Sequence, residues 1–324
     1  MMKLNRSVFC FLLLVFIAVA PSAEAENYPN KPIELILPAA PGGTTDTAVR
    51  LMAGKWQEFL GQPVVVVNVP GAGGAIGANR VARAKPDGYT LLGAFDSLLV
   101  ALPFVQSNVE YDLDSFTYIN GFGLGAIYLV ARADAPFKTV SEAIETIRGA
   151  QQNKFSYASY GIGVITHFTA ERLWDMNGVK LNYIPYKSSP ESVLAMLGGH
   201  VDFAVTAGTG GAANHPQARI LAIASENRRE DTPDVPTLKE LGYPVSLDFI
   251  SAVLAPRGLS KHVEEKLVSA IQSANAKYGD LFKEQLLGKA DLIYVNMTGQ
   301  EVHDTWRERQ AWFKELAPKM ELPK

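Results

Sequence analysis

Apolar and polar positions along the chain change period in a regular order. Residues 33–37 form a short apolar run, residues 48–60 carry the spacing of an amphipathic helix, and residues 64–68 are a β-branched run. Residues 75–84 return to helical spacing, and after a Pro86-Asp87-Gly88 turn residues 89–92 read as a third strand. Strands that alternate with helices imply parallel pairing and a layered α/β domain. Asp96 and the residues up to Pro103 then begin the next helix or loop, outside the carboxyl end of that strand.

The apolar stretch 117–133 ends at Asp134-Ala135-Pro136, where the chain is expected to change domain. Ser141 stands at a helix N-cap position. The opening pattern then recurs, with strand 155–159, turn 160–163 and helix 166–174. Strand 180–186, helix 191–197, strand 201–205 and the apolar run 220–224 follow. Residues 246–255 are extended in character and stop at Pro256, which places a return crossing there. Helices over 261–276, 279–286 and 300–316 close the chain, with Trp306 and Trp312 reading as core.

This order predicts two lobes, each a mostly parallel sheet flanked by helices, joined by two crossing strands. The first is discontinuous, 26–124 plus 250–324, and the second is 125–249. Two lobes on two extended crossings suggest a hinged clamp.

Length and composition fit that picture. The 324 residues, 48% hydrophobic, can build two cores. The first 25 residues stand apart: Lys3 and Arg6 precede an apolar run, Pro21 breaks it, and Ala23-Glu24-Ala25 offers a cleavage site. They read as a signal peptide cleaved after Ala25, which makes the protein exported. The single cysteine, Cys10, falls inside that segment, so thiol catalysis, disulfides and thiolate metal sites are not expected in the mature chain. The net charge of −3, with no lysine or arginine run, argues against nucleic acid as a partner.

The candidate chemistry centres on residues 38–46, P-A-A-P-G-G-T-T-D. A strand that stops at prolines, turns through Gly42 and Gly43 and enters a helix at Thr44, Thr45 or Asp46 leaves backbone N–H groups at the positive end of a helix dipole. Such a place holds anions. The second unit, over 156–168, offers the same geometry from the other lobe, through Gly161 and Gly163, and Ser159 and Thr166 add neutral hydroxyls suited to a carboxylate. Tyr157, Tyr160 and Tyr186 can wall a pocket or pack as half-buried surface. Asp96 follows an apolar strand and can project into the cleft or act as an acidic helix cap.

Pro70-Gly71-Ala72-Gly73-Gly74-Ala75-Ile76-Gly77 invites a dinucleotide site, but Ile76 stands where the fingerprint needs glycine or alanine and no Walker lysine follows, so a helix-entry turn lining the cleft fits better. Ser159 and His167 could serve a serine hydrolase, although Ser159 lacks the nucleophile-elbow context and His167 reads as a hydrogen-bonding or packing residue. No histidine spacing supports a metal, and no cofactor is expected.

The residues resemble a known family, the periplasmic solute receptors of tripartite tricarboxylate transporters, also called Bug receptors. The resemblance is carried by Tyr28-Pro29-x-Lys31-Pro32-Ile33, Pro41-Gly42-Gly43-x-x-Asp46, Leu60-Gly61-Gln62-Pro63-Val64, and Pro70-Gly71-Ala72-Gly73-Gly74 with Ile76-Gly77. It continues through Lys85-Pro86-Asp87-Gly88-Tyr89-Thr90-Leu91-Leu92, Pro185-Tyr186-Lys187, Leu197-Gly198-Gly199-His200-Val201-Asp202 and Pro233-Asp234-Val235-Pro236-Thr237.

The resemblance implies a two-lobed, type II-like periplasmic binding protein. It would close on a small organic acid and deliver it to a permease of one large and one small integral membrane subunit. It also implies that the turns at 38–45 and 159–166 grip a ligand carboxylate, with side chains near Asp96, Tyr186 and Thr206 choosing the rest. Ala39, Ala40, Ser97, Tyr160 and His167 complete the expected ligand shell. Relatives often carry an aromatic where Ala39 stands, so a roomier site is expected, and an ammonium-bearing ligand would have Asp96 as its partner. A monomer is expected, and a sensory receptor serving a membrane kinase is the alternative role.

Overall fold

The computed structural model describes residues 27–151 and 154–317; the expected signal peptide and its cleavage site lie outside the described residues, as does the side chain of Trp312. Among the described residues eleven strands form two sheets. The first contains β1 (Ile33–Leu37), β2 (Val64–Asn68), β3 (Thr90–Phe95), β4 (Phe116–Gly125), β10 (Phe249–Pro256) and β11 (Leu292–Thr298), in the order β11-β4-β10-β3-β1-β2. The second contains β5 (Ile127–Arg132), β6 (Ser156–Tyr160), β7 (Asn182–Tyr186), β8 (Phe203–Ala207) and β9 (Ala218–Ala224), in the order β7-β6-β8-β5-β9.

Pairing is parallel across β2-β1-β3 and across β7-β6-β8, as the strand–helix alternation implies, and antiparallel elsewhere. The antiparallel half of each sheet arises where the chain crosses between lobes without an intervening helix. Strand β4 runs through Ala126 directly into β5 in the other sheet, and β10 returns to lie between β3 and β4. The single apolar stretch 117–133 is therefore two strands, one in each sheet.

Helices α1 (Thr44–Leu60), α2 (Ala75–Ala82), α3 (Asp96–Val100) and α4 (Leu102–Val105) accompany the first sheet. Helices α5 (Val140–Arg148), α6 (Ile165–Met176) and α7 (Ser189–Leu197) accompany the second, and α8 (Lys261–Ala290) and α9 (Gly299–Leu316) close the chain. The cap of α5 is Thr139, whose hydroxyl accepts from Glu142 N, rather than Ser141. Strand β1 buries every residue but Glu34, the signature of a central strand covered on both faces. The two helices expected over 261–286 are one, because Gly279 costs a packed helix only about 1 kcal/mol and does not break it.

Strand β11 escapes the sequence pattern. Its burial alternates only weakly, and its hydrogen bonds come from β4, which is remote in sequence. Arg229 ties the first crossing to the start of β11, its Nη1 and Nη2 donating at 3.3 Å to the carbonyls of Leu124 and Asp291.

Candidate functional site

The first turn is built from its acid. Asp46 is buried, and its carboxylate accepts from Gly42 N at 2.9 Å, from Arg50 Nε at 3.1 Å and from Asn68 Nδ2 at 2.9 Å. Burial opposes the charge, but the bonds from Arg50, Gly42 and Asn68 outweigh it and hold the carboxyl below its usual range. Asn68 Nδ2 also reaches the carbonyl of Ala39 at 3.0 Å, so the end of β2 fixes the end of β1.

Helix α1 begins with no side-chain cap at Gly43, and its first intrahelical bond runs from Thr47 N to Gly43 O. The N–H groups of Thr44, Thr45 and Asp46 thus precede the hydrogen-bond ladder at the positive end of the helix. The Pro70–Gly77 motif is the platform behind this turn: a Cβ on Gly77 would meet Pro38 Cβ and Val69 O, each at 2.8 Å. It is a helix-entry turn, as its failed dinucleotide spacing implies.

The second turn links β6 to α6. Val164 occupies the N-cap position with extended backbone and cannot cap through its side chain. Gly161 N donates to Tyr186 O at 3.1 Å, and Gly163 N donates to His167 Nδ1 at 3.1 Å. His167 is buried and stacked on Tyr183, with ring centroids 4.0 Å apart. Burial pulls its pKa down to about 4, so the ring is neutral at pH 7 and Nδ1 is free to accept. Ser159 Oγ lies 3.2 Å from the Tyr183 hydroxyl, which in turn donates to Gly161 O. Ser159 and His167 are thus engaged with different partners, and the pair a serine hydrolase needs is not assembled. Thr166 is fully buried, and its hydroxyl has no hydrogen-bond partner among the described residues.

The lobes meet around these turns. Thr44 Oγ1 donates to Ala207 O at 2.9 Å, Ile165 N donates to Ser97 Oγ at 2.8 Å, and Gln106 Nε2 donates to Ile162 O at 2.8 Å. Thr209 donates through N and Oγ1 to Asp291 at 3.0 and 2.9 Å. Thr45 Oγ1 stands 3.3 Å from Ser251 Oγ on β10. Thr206 is buried and donates to Gly208 O at 2.7 Å, and Tyr186 is half-buried against the core of the second lobe.

Asp96 departs from expectation. It is fully buried, and its carboxylate accepts from Ile250 N, from Trp306 Nε1 at 2.9 Å and from Arg309, which also donates to Asp248 O at 2.7 Å. Asp96 is therefore neither a helix cap nor a partner for a ligand ammonium; it fastens α9 to the return crossing. Asn68, Ala207, Gln106 and Arg309 were not legible as site-forming residues. Only Asn68 had a signal, since it ends a strand beside the first turn and ligands in parallel sheets gather outside carboxyl ends.

A groove of about 540 Å³ lies elsewhere, between α9 and residues 244–248; of its basic groups, Lys239 and Arg309 are paired with Glu226 and Asp96, and Arg172 also lines it. Among the described residues no cluster of histidine and acid side chains is arranged to hold a metal, and no helix is long and apolar enough to cross a membrane.

Residues 48–322 match the model of the tripartite tricarboxylate transporter family receptor. The chain belongs to this family. It is 35% identical over 261 residues to the UPF0065 protein in the gbd 5′ region of Cupriavidus necator, covering 79% of this chain and 78% of that one. It is 34% identical over 297 residues to the protein BugT of Bordetella pertussis, covering 85% and 90%. Among solved structures it is similar to the periplasmic binding protein BugD, at 30% identity with a TM-score of 0.82, covering 90% of this chain and 98% of that one. Family members are periplasmic binding proteins, and the two-lobed architecture of this receptor is theirs.

Proposed function

We propose that this receptor captures a small organic carboxylate between its lobes, without catalysing a reaction, and delivers it to a tripartite-type membrane transporter with one large and one small integral subunit. In this reading it works in the periplasm as a monomer, after cleavage behind Ala25. Lobe 1 is 26–124 plus 250–324 and lobe 2 is 125–249.

The observation that carries the reading is a pair of helix starts, α1 and α6, one from each lobe, neither capped by its own side chain and each hydrogen-bonded to the opposite lobe. Helix N–H groups and dipoles hold a carboxylate without a charged side chain. Ligand contacts then fall to Gly43, Thr44 and Thr45 on one side and Tyr160 and Thr166 on the other, with Ala39 and Ala40 as walls. Gly42, Gly161 and Gly163 spend their N–H groups inside the protein and shape the turns instead.

Calorimetric titration and thermal shift of the mature chain against mono-, di- and tricarboxylates, aromatic acids and acidic amino acids test this. At least one acid raises the melting temperature in step with its concentration. A flat response across the panel rejects the proposal.

A further inference from the structure

Helix α6 needs a cap that its own sequence does not supply. Val164 has the extended backbone of an N-cap residue but no hydrogen-bonding side chain. The group that meets Ile165 N is Ser97 Oγ, at 2.8 Å, from the first turn of α3 in the other lobe. Ser97 is fully buried. A lobe-1 hydroxyl therefore accepts from a lobe-2 amide and supplies the cap that Val164 cannot.

On the same turn, Gln106 Nε2 donates to the carbonyl of Ile162, and Gly161 lies so near Gly73 that an added Cβ would come within 3.0 Å of Gly73 Cα. These contacts exist only with the lobes together. When they part, Ile165 N and Ile162 O lose these partners.

We infer that Ser97 and Gln106 are positioning residues for closure: they cap and hold the second turn from across the cleft, and they are not ligand groups. The inference builds on the binding-protein reading. Capping in trans makes the order of α6, and hence of the N–H groups that follow Ile165, depend on closure. An open lobe presents a frayed anion seat and a closed one presents a finished seat, so affinity is tied to domain closure for every ligand alike.

The test uses the mature chain, with nitroxide labels at Gln57→Cys in α1 and Leu194→Cys in α7, both exposed positions. Inter-lobe distances without added ligand and dissociation constants for each acid that binds are compared between this protein and its Ser97→Ala form. Loss of a helix cap corresponds to roughly a fivefold change, up to tenfold or more for the stronger cases. Ser97→Ala should therefore move the distance distribution outward and weaken every bound acid by one common factor of about 5–10.

Unequal factors among acids mean that Ser97 touches the ligand and overturn the inference, as do unchanged distances and affinities. If no acid binds, the function reading fails, while the distance measurement still decides the role of Ser97. Gln106→Ala, at a half-buried position, serves if Ser97→Ala does not fold. It should give the same outward shift and a uniform loss, and no change in either overturns the inference.

Discussion

The Asp96→Asn substitution separates the two roles open to this carboxylate. A ligand contact would change ligand preference at little cost in stability. In the structure Asp96 has no exposed surface and meets Ile250 N, Trp306 Nε1 and Arg309. An asparagine keeps one acceptor oxygen but turns an N–H₂ toward groups that are themselves donors, and it leaves the Arg309 guanidinium without its counter-charge.

Removing one partner of a buried ion pair costs about 3–5 kcal/mol. The Arg309 side chain keeps 26% of its surface in water. Solvation therefore recovers part of the loss, and the substitution belongs near the lower end, about 3 kcal/mol. At about 2 °C per kcal/mol for a chain of this size, the melting temperature falls by roughly 6 °C. Thermal or denaturant unfolding with and without ligand, beside titrations of the acids that bind, reads both quantities. The reasoning is refuted if the variant melts within about 1 °C of the parent and its order of preference among acids changes.

Other expectations follow from the same geometry. Gly161 has φ +75°, and a methyl group there would press on Gly73 across the lobe contact. Gly161→Ala should therefore weaken binding about tenfold or more while unfolding shifts by only about 1–2 kcal/mol, read by calorimetry beside denaturant titration. His167 holds its folded pKa near 4, below its ordinary value of 6.5, because it is buried. As pH falls below about 6.5 the unfolded chain takes up a proton first, so this group's contribution is complete above that pH and is lost towards pH 4, up to about 3 kcal/mol. His167→Asn, which keeps an acceptor for Gly163 N, should flatten the slope of unfolding free energy against pH in that window; an unchanged slope rules the buried histidine out as its source.

The local features were readable because their causes are local. The run 33–37, the P-A-A-P-G-G turn and the following helix are set by apolar spacing, proline and glycine, and β1, the turn and α1 fall there. Val64–Asn68 was readable for the same reason. The unity of α8, the strand β11 and the capping of α5 by Thr139 depended on margins of about 1 kcal/mol or on a partner strand remote in sequence, which periodicity does not register.

The sequence by itself determined the two strand–turn–helix units and membership of the receptor family, because each rests on short-range backbone preferences or on ordered motifs. The tertiary structure decided which polar groups in those turns remain available. Asp46 takes Gly42 N, His167 takes Gly163 N, Tyr186 takes Gly161 N, and Ser97 of one lobe caps a helix of the other. Asp96, which looked like a ligand group, is spent on Arg309 and Trp306, more than 200 residues away in the chain. Burial favours partners for such donors and acceptors, and which partner each finds depends on the meeting of distant segments in space.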